Sequence, residues 1–197
     1  MTIRISAILL AAGLSQRMGA DKLLLEYRGK SILQHAIDLL SGLDVFEKIL
    51  VTTETRAKAI DLTTDVRLCI NSNPEAGKSS SIKIGVEVTS GTHFLFLTAD
   101  QPKLNIEDIE PILEAALIHP DMIIHPVINS EPVSPTLFPA RFREELLNLY
   151  KKPRIKENDL GGQIIRDANK SFCLTIEPKN PLRFADIDTT EDYRNLK

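Results

Sequence analysis

Short apolar runs of β type alternate with helix-periodic segments along the whole chain, and this alternation restricts the fold more than any other feature. The runs cover residues 3–10, 46–53, 66–70, 93–99, 122–126, 134–138 and 172–177. Helical periodicity is read over 31–43, near 54–61, over 80–88, from Asn105 to about His119, near 140–150, and over 159–169 and 188–196. Strands as uniformly apolar as HFLFLTA (93–99) have no solvent face and need cover on both sides. That requirement predicts an α/β layered fold around a mostly parallel central sheet. In SILQHAIDLLSGL (31–43), Ile32, Leu33, Ala36, Ile37 and Leu40 fall on one helical face, and Ser31 with Gln34 has the pattern of a capping box. Pro126, Pro132, Pro135 and Pro139 predict that the region from 126 to 139 is a fixed β excursion. No linker, repeat or low-complexity tract interrupts the 197 residues, so a single domain over 1–197 is expected.

Bulk properties remove several function classes. A net charge of −3 argues against general nucleic-acid binding, which needs a basic footprint, although a local basic pocket is compatible with it. Cys69 and Cys173 lie far apart in apolar settings, with neither metal-ligand nor disulfide spacing, and are expected to be reduced core thiols. The opening IRISAILLAA lacks a cleavage context and is too short to span a bilayer, which predicts a soluble, cytoplasmic protein without a membrane partner. His35, His93, His119 and His125 form no constellation for nucleophilic hydrolysis.

Open α/β sheets bind ligands beyond the carboxyl ends of their strands, which directs attention to the loops after the first and fourth strands. In LLAAGLSQRMGADK (9–22), Ala11, Ala12 and Gly13 leave backbone N–H groups accessible to phosphate oxygens. Such dipoles supply roughly 0.3–2 kcal/mol, whereas micromolar binding needs about 8 kcal/mol, so fixed cations are also required. Arg17 and Lys22 are the cations at hand, and a plain strand-to-helix turn with two solvated cations is the alternative. The loop is not a dinucleotide fingerprint, because position 11 is Ala and no acidic residue ends the second strand. AGKSSS (76–81) is not a Walker A loop, because Ser72 stands where glycine is needed. It reads instead as a Gly–Ser turn entering a helix at Ser80 or Ser81, offering either plain capping or contacts to a ribose or base edge. Asp100 follows the most apolar strand and suits magnesium, which takes one or two carboxylates plus phosphate oxygens and water. Asp186 and Asp188 offer a second carboxylate; a helix cap at Asp188 or Thr189 is the alternative.

Taken together, LAAG-x-S-x-RMG-x-x-K, N-P-x-x-G-x-S-S-S-I-x-x-G-V (73–86), DQP (100–102) and DIDTTEDY (186–193) resemble the MobA-like nucleotidyltransferase family, and within it the molybdenum cofactor cytidylyltransferases. The resemblance spans essentially the whole chain. It implies a Rossmann-like three-layer sandwich of nucleotide-diphospho-sugar transferase type, nucleotide-binding in its N-terminal half and acceptor-binding in its C-terminal half. The implied reaction transfers NMP from an NTP to the phosphate of molybdopterin or molybdenum cofactor, releasing pyrophosphate. By the same resemblance Leu10, Ala11, Ala12 and Gly13 would line the nucleotide, and Arg17 and Lys22 would hold its phosphates. Gly77, Ser80 and Ser81 would approach base and ribose, and Asp100 would bind Mg²⁺, to which the residues themselves add Asp188 as a candidate second ligand. Guanylyl-transferring relatives usually carry glycine at the place of Ala12, which points to CTP.

The acceptor would meet Gln101 and two stretches that depart from the family pattern. Val133-Ser134-Pro135 stands in place of Gly-His-Pro, and Asn158-Asp159-Leu160-Gly161-Gly162-Gln163 in place of Gly-Asp-x-Gly-Ala-Arg. Ser134, Asp159 and Gln163 are therefore the candidate acceptor contacts. Two rival functions remain at this point: nucleotidyl transfer to a sugar or polyol phosphate, and a non-catalytic factor delivering the cofactor to a molybdenum hydroxylase apoenzyme.

Overall fold

A strand whose every residue is buried belongs at the centre of a sheet, and β1 (Ile5–Ala11) sits there, with all seven positions buried. The computed structural model describes residues 2–14, 19–149 and 161–196. β1 runs parallel to β4 (Glu47–Thr52) on one side and to β6 (His93–Thr98) on the other, and β5 (Val66–Ile70) adds parallel to β4 at the edge. On the far side of β6 lie β7 (Ile123–Ile128), β9 (Thr136–Pro139) and β10 (Cys173–Ile176), giving the order β10-β7-β9-β6-β1-β4-β5. β9 is antiparallel to both β6 and β7. A short β8 (Glu131–Pro132) folds back on β7 through Asn129 and Ser130, which both take positive φ as a two-residue hairpin turn requires. The remaining pair, β2 (Glu26–Tyr27) and β3 (Lys30–Ser31), forms a separate small hairpin that the apolar patterning did not signal.

Alternation along the strands divides the core into two. Ala7, Leu9, Leu50, Leu95 and Leu97 face one side, where α1 (Ile32–Gly42) and α4 (Ile106–Ile118) pack. Ile8, Leu10, Ile49, Val51, Phe94 and Phe96 face the other, against α3 (Lys78–Val88), α5 (Arg143–Asn148) and α6 (Gln163–Ala168). The result is a three-layer α/β sandwich with a mostly parallel sheet. Because β4 and β6 flank β1 on opposite sides, the chain reverses its direction of travel at the carboxyl ends of β1 and β6. Such a switch point opens a crevice between the two following loops. Among the described residues no helix is long and apolar enough to cross a membrane.

Several boundaries differ from the sequence reading for identifiable reasons. Ser31 does cap α1, accepting from the Gln34 amide N–H at 3.1 Å, but the reciprocal leg of the capping box is not made. The Gln34 side chain instead donates to Asp38 and to the Asp61 carbonyl, and accepts from the Asp61 N–H. That pairing occupies the backbone at 61, and α2 is a single turn, Glu54–Ala57, rather than a helix to 61. The full capping box lies at α4, where Asn105 and Asp108 satisfy each other. α3 begins at Lys78, ahead of Ser80, because Gly77 turns the chain with φ +88°. The start of the helix expected over 159–169 lies outside the described residues. Cys69 and Cys173 are free and only half-buried, one on each edge strand rather than in the core, and burial raises both thiol pKa values.

Candidate active site

At the carboxyl end of β1 the chain narrows to Ala11 and Ala12, both almost fully buried, and then reaches the exposed Gly13. A Cβ on Gly13 would meet nothing within 4 Å among the described residues. Beneath this turn lies Arg56, 4 % exposed, carried in by α2 after Thr53 caps that helix. Its Nη1 donates to the Ala11 carbonyl at 2.6 Å and its Nη2 to the Gly13 carbonyl at 2.7 Å. Its Nε and Nη2 also form a two-pronged pair with the Asp21 carboxylate, at 2.7 and 2.8 Å. A buried guanidinium requires partners of this quality. Asp21 in turn accepts from the Leu23 N–H and caps the 3₁₀ turn Lys22–Leu24. Gly13, Thr53, Arg56 and Pro74 line part of a cavity of about 560 Å³, within the range of small-ligand pockets.

The turn capped by Asp21 presents Lys22. Its Nζ donates to Asp100 Oδ2 at 2.8 Å, to the Ile187 carbonyl at 2.7 Å and to Asp188 Oδ1 at 2.9 Å, so all three of its protons are used. Burial alone would lower the Lys22 pKa, but Asp100 and Asp188 outweigh it and the net shift is upward. Asp100 follows β6, and its carbonyl accepts from the Ile187 N–H at 3.0 Å, which fixes segment 186–188 beside it. The alternative roles for this segment separate cleanly. Thr189 caps α7 (Thr190–Leu196), exchanging hydrogen bonds with Asp192, and leaves the Asp188 carboxylate to Lys22. The Asp186 residue is exposed, yet burial of its carboxyl and then the like charges of Asp100 and Asp188 push its pKa up to about 7, against the opposing pull of Lys78 and Lys22.

A divalent cation suits this donor set. Asp100 Oδ1 is buried and has no hydrogen-bond partner among the described residues, while Oδ2 is held by Lys22. No cluster of three or more His, Cys, Asp or Glu side chains with metal-binding geometry occurs among the described residues. Magnesium does not need one, since phosphate oxygens and water complete its shell.

Other sequence candidates fall as follows. Leu10 is buried in the sheet. The Ser80 and Ser81 hydroxyls both accept from Asn71 Nδ2, at 2.8 and 2.9 Å, and Ser80 donates to the Gly77 carbonyl at 2.7 Å. Asn71, which sequence reasoning missed, thereby shapes the turn from Asn73 to Gly77 that leads into α3. Gln101 is buried, and its amide donates to the Phe184 carbonyl at 2.8 Å and to the Ser134 carbonyl at 3.3 Å. Gln163 is exposed at the first position of α6. Arg17 and Asp159 lie outside the described residues. Arg56 and Asp21 were also missed; the only signal was a charged residue in a short post-strand segment, and its carbonyl partners are invisible in sequence.

Comparison with known proteins agrees with this geometry. Residues 7–166 match the family described as MobA-like NTP transferase domain. A probable molybdenum cofactor guanylyltransferase of Natranaerobius thermophilus is 28 % identical over 206 residues, covering 100 % of this chain and 97 % of the relative. One from Methanosarcina acetivorans is also 28 % identical, covering 97 % and 89 %. The crystal structure of a Mycobacterium tuberculosis H37Rv protein in complex with manganese superposes with a TM-score of 0.75 at 21 % identity, covering 98 % of this chain and 97 % of that one. The family match runs from β1 through α6 and takes in Lys22, Arg56 and Asp100, and on that ground the chain belongs to the MobA-like NTP transferase family and is a nucleotidyltransferase.

Proposed function

We propose that the chain transfers a nucleoside monophosphate from an NTP to the terminal phosphate of molybdopterin or molybdenum cofactor, with Mg²⁺ as the cation. The observation that carries the reading is the Asp100 carboxylate at the switch point, with one oxygen on Lys22 and the other buried without a partner. The relatives' names supply the acceptor class, and manganese in the mycobacterial structure supports a divalent ion here.

The chemistry asks little of general bases, which fits a site without histidine. A phosphate nucleophile is already anionic at neutral pH, so charge neutralisation and in-line placement at the α-phosphorus remain. Lys22 stays charged through the physiological range because its pKa is raised, and it faces the charge that shifts toward the departing pyrophosphate. Arg17, on the same loop, is assigned a parallel role. Asp100 and Asp188 would hold the cation, which when bound supplies further charge neutralisation at the phosphates. In this reading the first loop and the 73–81 turn bind the nucleotide, and Gln101, Ser134, Asp159 and Gln163 border the acceptor. All of it belongs to one domain.

For the donor base we assign CTP, on Ala12, which stands where guanylyl-transferring relatives usually carry glycine. GTP is the second reading, favoured by the guanylyltransferase relatives. Incubation of the protein with molybdopterin, Mg²⁺ and each α-labelled NTP in turn tests both. Label recovered on the pterin from CTP supports the first reading, from GTP the second, and label from neither with the pterin tightly bound supports a delivery role instead.

A further inference from the structure

Arg56 lines the cavity and is among the most thoroughly bonded of the described side chains near the site. Its planar fork collects the Ala11 and Gly13 carbonyls on one side and both oxygens of Asp21 on another. Thr52 Oγ1 adds a second donor to the Ala11 carbonyl at 3.1 Å. These acceptors sit at the two ends of the segment from β1 to the Lys22 turn, so one side chain sets the distance across it. The pull on the carbonyls also has a direction. In a planar trans peptide the N–H points opposite to the C=O, so turning the Ala11 and Gly13 oxygens toward Arg56 aims the Ala12 and Leu14 N–H groups away from it. At the other end, Asp21 accepts from the Leu23 N–H while Arg56 holds it, and this fixes the turn from which Lys22 reaches Asp100.

We propose that Arg56 is the positioning residue of the nucleotide site: through Ala11, Gly13 and Asp21 it sets the first loop's N–H groups and Lys22 in the mutual arrangement that a triphosphate needs. The inference rests on the nucleotide reading above and adds a residue to it. Lysine cannot substitute, because a single ammonium lacks the planar fork that spans two carbonyls and both carboxylate oxygens. An ordinary buried ion pair would instead support folding without touching ligand affinity.

Calorimetric titration of the full chain with MgCTP and MgGTP separates these roles, alongside thermal melts that establish the folded fraction. For Arg56→Lys, measured where it is fully folded, the Kd for whichever nucleotide the wild type binds should rise at least tenfold, with kcat also lowered. Affinity for molybdopterin should stay within twofold. A lowered melting temperature with nucleotide Kd within twofold of wild type overturns the proposal. If Arg56→Lys does not fold, Asp21→Asn decides: a rise of at least threefold in nucleotide Kd supports the proposal, and a wild-type Kd overturns it. A wild-type protein that binds neither nucleotide removes the nucleotide reading itself, and this inference with it.

Discussion

Lys22 Nζ lies 2.8 Å from Asp100 Oδ2, joining the segment after β1 to the loop after β6 across the switch point of the sheet. A cation and a carboxylate, both half-buried, are thus brought together from far apart in sequence, and the proposed reaction is assigned to this place. Lys22 also bridges to Asp188, so it balances two negative charges at once.

Removing that balance should disable the chemistry before it disables the fold. Lys22→Ala is expected to lower kcat/KM by about 10²–10³-fold, the usual scale for a lost electrostatic contact to developing charge. The Asp188 side chain is about half open to solvent, so water can take over part of the lost contact. Circular dichroism and steady-state pyrophosphate release on the same preparation check both halves.

Asp100→Asn keeps the shape of the side chain and discards its charge. The variant should remain folded and require a higher Mg²⁺ concentration for half-maximal rate. A metal titration indistinguishable from wild type would remove Asp100 from the cation site.

Much of this arrangement can be read in the amino-acid order. Asp100 follows the most apolar run and Lys22 closes a loop after the first one, so sheet logic alone places both at strand ends. The direction of β9 cannot be read that way: SPTLF has strand character in either orientation, and only its pairing with both β6 and β7 makes it antiparallel. Arg56 was hidden because its partners are backbone carbonyls, which every residue possesses. The order of residues left Ser80 and Ser81 open to plain capping or to a ligand, and it gave no sign that Asn71 donates to both hydroxyls.

The base preference can be moved by one methyl group. Ala12→Gly is expected to raise kcat/KM for GTP relative to CTP by several-fold, because it removes the one side-chain methyl between β1 and Gly13. Competition between the two labelled nucleotides measures the ratio, and an unchanged ratio would leave Ala12 without a role in base choice.

Gly85 explains how α3 comes to lie so close to the sheet. A Cβ there would sit 2.5 Å from Ile8 Cγ2 and 3.5 Å from Val51 Cγ2. Gly85→Ala should destabilise the fold by about 1–3 kcal/mol through overpacking, measured by urea unfolding.

Acid stability should depend on Glu47 at the opposite end of the sheet. Burial works to raise its pKa, but hydrogen bonds from Ser6, Thr89 and Ser90 prevail and hold it down to about 2, from 4.5. A depressed carboxyl pKa makes its stabilising contribution complete above about pH 4.5 and loses it as pH falls toward 2. Glu47→Gln should therefore melt lower than wild type at pH 7, with the gap closing through that interval.

Pyrophosphate release, followed continuously with CTP and Mg²⁺ in the presence and absence of molybdopterin, tests the central claim most directly. The predicted result is turnover that requires the pterin and is lost in Lys22→Ala. Failure of molybdopterin to elicit pyrophosphate from CTP, GTP or the other two NTPs, using folded wild-type protein, would contradict it.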